Sequence, residues 1–385
     1  MAFATGDEKL VSKTNWGDNI MSDDTAPVLV YAVDHDGDVS GLVYTFGGIG
    51  ARVSIAPGTI VDTSSLDCFA GKIRSEHDHA SEVCDPRYLN PQTGPFFVEG
   101  AVPGDVVAVH FARIEPRNTT GFSTTVPLLG ALTANGFTQK LHAALPEMTW
   151  RYDIDKEQQT VRYQARESSA TYTLPLDPMH GTVGVAPGLN EARSSLTPGD
   201  WCGNMDTPEM RTGVTCFLGV NVEEALFSFG DGHARQGEGE ACGVAVETAM
   251  DTVMVIDVIK NVSPVRWPRI ESDEEIMTTG STKPLEDAFR ISHVQMVHWV
   301  AELTGLSVMD SYQFVSQAVQ TPVANVVDTN YTMVAKIRKS CLPGINPMSG
   351  VHQRLKAIAQ AYLATRSGNS PSLAKGSDAD IVDQN

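Results

Sequence analysis

Residues 214–259 read VTCFLGVNVEEALFSFGDGHARQGEGEACGVAVETAMDTVMVIDVI. Val214 to Val222 is apolar and β-branched, Glu223-Glu224 forms a turn, and Ala225 to Phe229 returns. Gly243 to Ala249 and Thr252 to Ile259 repeat the pattern. Short β-branched runs bounded by polar or glycine clusters are strands, and the spacing predicts two hairpins. Working outward, Pro27 to Val33 and Leu42 to Phe46 flank Asp34-His35-Asp36-Gly37-Asp38. Phe96 to Glu99 and Val106 to Phe111 flank Pro103-Gly104-Asp105, where Pro and Gly preset the turn angles. Val161 to Ala165 and Thr171 to Leu174 flank Glu167-Ser168-Ser169. Each pair predicts a further hairpin. So many short strands at this spacing point to an all-β sandwich or barrel rather than βαβ units.

The last third changes period. Leu285, Ala288, Phe289, Val294, Val297 and Val300 follow helical spacing. Met309 to Val319 predicts a second helix, with Asp310 near its start where a carboxylate suits the dipole. Thr332 to Ile337 reads as a strand. Val351, Leu355, Ile358, Ala359, Tyr362 and Leu363 share one face of a terminal helix. After Arg366 the chain is polar, which predicts a disordered tail. The expected division is a β-rich catalytic region over 26–270, an α/β part over 271–345, and a terminal helix with its tail over 346–385.

Charge narrows the function. Of 385 residues, 47 are Asp or Glu and 28 are Lys or Arg, a formal net charge of −19. Phosphate neutralisation needs clustered Lys and Arg, so nucleic-acid binding is excluded, and an anionic membrane surface is disfavoured for the same reason. Hydrophobic residues make up 42%, enough for a core, and no apolar run reaches the roughly 18 residues of a transmembrane helix. Met1 to Asp18 holds no apolar stretch of the kind a secretory signal needs. The six cysteines are scattered without a CxxC pair, as free thiols in a reducing compartment are, so the expected location is the cytoplasm.

The densest chemistry lies in Gly230-Asp231-Gly232-His233-Ala234-Arg235-Gln236-Gly237-Glu238-Gly239-Glu240. Its glycines let the backbone approach a ligand closely. One imidazole and three carboxylates suit Zn²⁺ or another first-row metal, and carboxylates alone suit Ca²⁺. The segment reads as a loop between two strands. Gly203-Asn204-Met205-Asp206 adds a further carboxylate and an amide, and Asp67 another carboxylate. Glu76-His77-Asp78-His79 would form an H-x-H metal pair if it were a strand, since side chains alternate. Other motifs fail: from Asp34, the positions where a calcium loop needs Gly and Glu hold Val39 and Thr45. Gly47-Gly48-Ile49-Gly50 is no dinucleotide fingerprint, and there is no GxSxG.

Asn90-Pro91-Gln92-Thr93-Gly94-Pro95-Phe96-Phe97-Val98-Glu99-Gly100-Ala101 with Pro103-Gly104-Asp105 resembles the NPxTGPxxVxGAxPGD signature of acetamidase/formamidase proteins. Gly181-Thr182-Val183-Gly184-Val185-Ala186-Pro187, the Gly203–Asp206 block and the Gly230–Glu240 segment resemble that family's later blocks, in family order. The resemblance implies a mainly β fold: a jelly-roll-like sandwich, a second β portion and a smaller α/β C-terminal part. It also implies hydrolysis of a short neutral amide, formamide or acetamide, to carboxylate and ammonia, by a homo-oligomer.

Amide hydrolysis needs a polarised carbonyl, a nucleophile and a proton for the leaving nitrogen. A divalent metal, zinc before calcium, supplies the first two. Asp67, Asp206, Asp231 and His233 are its expected ligands. Glu238, then Glu240, is the expected general base, and Asn204 and Gln236 are the expected substrate-binding amides. A rival reading makes Cys341 a nucleophile beside Arg338 and Lys339. Another is a non-enzymatic sandwich that binds metal or carbohydrate.

Overall fold

The strand Val106–Pro116 carries apolar side chains on both faces. Val107, Val109 and Phe111 point one way, and Val106 and Ala108 the other. Alternation along a strand therefore places it between two apolar layers. In the computed structural model, which describes residues 26–31, 39–127, 129–133 and 145–366, this strand lies inside a nine-stranded sheet. From edge to edge that sheet runs Val28–Tyr31, Thr59–Ser65, Met250–Ile259, Val106–Pro116, Thr215–Gly219, Arg269–Glu271, Glu275–Thr282, Tyr331–Arg338 and Val323–Asn325.

A second sheet packs on one face. Its main path is Thr171–Pro175, Thr160–Gln164, Met148–Asp155, Thr120–Thr125, Val246–Glu247, Phe227–Arg235, Met179–Gly184 and Cys202–Asn204. Gln92–Val98 and Val53–Ile55 join it beside Phe227–Arg235. Phe96, Phe111, Phe227, Phe229, Met250 and Met254 fill the space between the sheets. Helices Leu285–Thr304, Val308–Ala318 and Val351–Arg366 cover the other face, where Met296, Trp299, Val300 and Leu355 pack on Val253 and Val255. The fold is thus mainly β, as expected. Among the described residues no helix is long and apolar enough to cross a membrane, and all six cysteines are free thiols.

Of the predicted hairpins, the pair around Glu167 forms, with Thr171–Pro175 antiparallel to Thr160–Gln164. The others do not. Val28–Tyr31 pairs in parallel with Thr59–Ser65, and Thr45–Phe46 pairs with Arg193–Ser194; the turn at 34–38 lies outside the described residues. Gln92–Val98 and Val106–Pro116 belong to different sheets, as do Thr215–Gly219 and Phe227–Arg235, and Val246–Glu247 and Met250–Ile259. A tight turn between strands of opposite layers carries the same local signature as a hairpin, and burial on both sides decides between them. The helices and the strand expected at Thr332 to Ile337, found as Tyr331–Arg338, lie where the periodicity places them. The expected boundary at 270/271 falls inside Arg269–Glu271, and the strands beyond it extend the same nine-stranded sheet. The polar tail after Arg366 lies outside the described residues.

Candidate active site

The site grows out of the strand Phe227–Arg235. Phe227 and Phe229 enter the sandwich core, and two and four residues on, Asp231 and His233 continue that alternation. The segment expected to be a loop is strand as far as Arg235, with Asp231 at φ 59° bending the backbone. Both side chains are buried.

The His233 ring is held by Gln236. Gln236 Nε2 donates to the carbonyls of Asp206 and Ala324, which leaves Oε1 to accept from His233 Nδ1 at 3.0 Å. Nδ1 therefore carries a proton, an assignment made from the hydrogen bonds, and Nε2 faces Asp231 Oδ1 and Glu247 Oε1, both at 3.3 Å. Gln236, expected to bind substrate, uses its amide to fix the ring.

Asp206, His233 and Glu240 each offer a ligand atom within 4.8 Å of one another, all from buried side chains. Cys68, Asp231 and Glu247 form an adjoining group by the same measure. Asn90 Nδ2 and Thr182 Oγ1 donate to Asp231 Oδ2 at 2.9 and 3.1 Å. Asn204 donates to Asp206 and Asp328 and accepts from Asn90 and Thr182. Its amide is thus committed to the carboxylate scaffold. Gly181 completes the cradle: a Cβ there would meet Asp206 Oδ1 at 2.3 Å, Asp231 Oδ2 at 2.6 Å and His233 Cε1 at 2.8 Å.

Five carboxylates crowd this interior against one imidazole. Burial, then the charges of Glu240, Asp328 and Asp231, pushes Asp206 well above the usual carboxylate range. Burial does the same to Glu240. Burial raises Glu247 to about 7 and Asp328 to about 6. Burial also acts to raise Asp231, yet the charge of His233 and its hydrogen bond hold that carboxyl low. Burial opposes a charge on His233, but Glu247 and Asp231 lift it well above the normal imidazole range. Asp206 Oδ1 and Glu247 Oε2 are buried without a hydrogen-bond partner. Buried negative charge with orphaned oxygens needs a proton or a cation, and a His–Asp–Glu donor set suits a divalent metal.

Of the remaining expected residues, Asp67 stands next to the cluster, within electrostatic reach of Asp231 and Glu247, and the others lie off it. Asp67 Oδ1 accepts from the Phe69 and Gly71 backbone at 2.8 and 3.0 Å, which caps a turn, and Asp67 belongs to neither ligand group. Glu238 is exposed at the surface, although partial covering of its carboxyl and then the charge of Glu209 raise it to about 7, with Lys336 and Arg211 opposing. It does not line the cavity over the His233 cluster. His77 and His79 form no strand: His79 precedes the short helix Ala80–Val83 and pairs with Glu82 at 3.7 Å. Cys341 is exposed in a short 3-10 turn, Lys339–Cys341, away from that cavity. The sequence reading missed Asn90, Glu247 and Asp328. Asn90 opens the quoted signature, so its signal was present; Glu247 lies within the Gly243 to Ala249 strand run and Asp328 in none of the quoted motifs.

The chain matches the sequence profile of the Acetamidase/Formamidase family over residues 46–190 and 188–336. The acetamidase of Mycolicibacterium smegmatis is 27% identical over 296 residues, 61% of this chain and 71% of that protein. The crystal structure of an acetamidase from Yersinia enterocolitica superposes with TM-score 0.75 at 35% identity, covering 82% of this chain and 93% of the other. An acetamidase structure from Bacillus halodurans gives TM-score 0.71 at 27% identity, covering 82% and 99%. Profile, sequence relatives and shared fold agree, and the chain belongs to the acetamidase/formamidase family of amide hydrolases.

Proposed function

We propose that the chain hydrolyses linear primary amides, acetamide and formamide among them, to carboxylate and ammonia with a divalent metal, zinc before calcium, held by Asp206, His233 and Glu240. The observation that carries this reading is the convergence of three buried ligand atoms within 4.8 Å beside the unpartnered Asp206 Oδ1. When bound, such a metal polarises a carbonyl and lowers the pKa of water.

The protein side of the chemistry rests on Glu247. Its carboxyl lies beside His233 and is raised to about 7, which suits a group that both takes and returns a proton near neutrality. Glu247 takes a proton from the attacking water as its oxygen bonds to the carbonyl carbon, and passes that proton to the amide nitrogen; the acid left after C–N cleavage gives up its remaining proton to solvent. The C–N bond breaks, ammonia leaves and the carboxylate remains. Gln236 holds the His233 ring at Nδ1, and Asp231, anchored by Asn90 and Thr182, flanks its Nε2 edge. The test is ammonia release from acetamide by purified protein alongside elemental analysis. Release together with stoichiometric metal supports the reading, and a metal-replete protein that releases no ammonia from any primary amide overturns it.

A further inference from the structure

Above the carboxylate cluster opens a cavity of about 850 Å³. One end is polar: Asp206, Asp231, His233, Glu240 and Glu247. Apolar side chains, chiefly Phe69, Leu89, Val126, Leu129, Val244 and Val326, make up most of the remaining wall, which Ser81, Lys283, Asp328 and Thr329 interrupt. Of these apolar residues, all but Val326 belong to a separate apolar cluster of their own. The wall is built into the fold: Ala131 N donates to Ala241 O at 2.9 Å, and Leu129 N to Val126 O at 3.0 Å. Leu129 seats against Gly243, where a Cβ would meet Leu129 Cγ at 2.7 Å. No glycine-to-alanine change is free there, so the backbone is shaped around this side chain.

Acetamide has four heavy atoms, and its methyl group would leave most of this apolar space facing weakly held water. Cavities of roughly 300–1,000 Å³ suit ligands of much larger size. We propose that the acyl side of the site is built for a longer apolar acyl group, a chain of about five or more carbons or an aromatic ring, on a primary amide. The carboxamide sits at the His233 end, and the acyl group lies along Val126, Leu129 and Val326. Displacing poorly held water with apolar surface then favours longer substrates. This assignment rests on the amidase reading and names its substrate class.

The test is kcat/KM for ammonia release from acetamide, butanamide, hexanamide and benzamide. Burial of one methylene raises kcat/KM about fourfold, so hexanamide should exceed acetamide by on the order of a hundredfold. Leu129→Trp, which fills the wall, should lower the hexanamide-to-acetamide ratio at least ~tenfold. Val326→Phe, elsewhere on the lining and outside the apolar cluster of Leu129, should do the same and gives the reading if Leu129→Trp does not fold. Ammonia from acetamide with a flat or falling series overturns the acyl assignment and leaves the amidase reading standing. No ammonia from any of the four amides overturns both.

Discussion

Asp206 and Asp328 share the same two donors. Asn204 Nδ2 lies 3.0 Å from Asp206 Oδ2 and 2.8 Å from Asp328 Oδ2, and Asn325 Nδ2 lies 2.7 and 2.6 Å from the same oxygens. Two amides therefore clamp two carboxylates and leave Asp206 Oδ1 turned away, unpartnered. Asn204→Ala removes one donor from each acid and one acceptor from Asn90 and Thr182. Partners that orient a metal-binding group are worth roughly 10–100-fold, so ammonia release should fall by that factor, with bound metal falling alongside. Unchanged metal content and rate in Asn204→Ala would contradict this clamp.

At Gly181 a methyl group would disturb three site side chains at once. Its Cβ would press into Asp206, Asp231 and His233 together, and small displacements of such groups cost about a hundredfold in rate. Gly181→Ala should therefore lose at least ~99% of activity while its circular dichroism stays native. A well-folded, fully active Gly181→Ala protein would show that these three side chains do not meet at the reaction centre.

Two glutamates separate the roles. Glu247 touches His233 and Glu238 does not line the cavity. Loss of a positioned general base is worth roughly 10²–10⁴-fold, so Glu247→Gln should lose that much of kcat. Glu238→Gln and Cys341→Ser should both stay within about threefold of wild type, as surface changes away from the site do. The reverse ranking of the two glutamates in a kcat series would move the base to Glu238.

Stability should depend on pH through a histidine pair on the helix-covered side of the nine-stranded sheet. His110 and His352 share the Thr215 hydroxyl, at 3.0 and 2.8 Å, with ring centroids 5.5 Å apart. Burial, then the charge of His352, lowers His110 to about 4. The unfolded chain takes up this proton near pH 6.5 and the folded chain resists it until about 4. Stability from this group is therefore complete above about pH 6.5 and is lost as pH falls toward 4. The loss is on the order of 3 kcal/mol. Thermal melts at pH 7, 5.5 and 4.5 should show Tm falling more steeply for wild type than for His110→Gln. Parallel curves would remove His110 as the cause.

The ordering of elements was largely legible, and their partners were not. Apolar alternation placed Val106 to Phe111 and the helix through Trp299, because those signals are local. Whether Thr215–Gly219 turns back on itself or crosses to the other layer depends on what covers each face, and that is set by distant strands. The glycine-rich Gly230–Glu240 stretch looked like a loop because it lacks β-branched residues; pairing with Met179–Gly184 as far as His233, and of Arg235 with Val246, holds it as strand. Asp231, His233, Asp206 and Glu240 were visible as chemistry in conspicuous company. Glu247 and Asp328 were not, since each becomes significant only through its neighbours: His233 at 3.3 Å for one, and the Asn204–Asn325 clamp for the other.

The central claim is that Asp206, His233 and Glu240 hold a divalent metal on which amide hydrolysis depends. The most direct measurement is ammonia release from acetamide by protein stripped with a strong chelator, checked for metal by elemental analysis, and then reloaded with Zn²⁺. The account predicts loss of activity in the stripped protein, recovery on reloading, and no recovery in His233→Ala. Full activity in protein shown to be metal-free would contradict it.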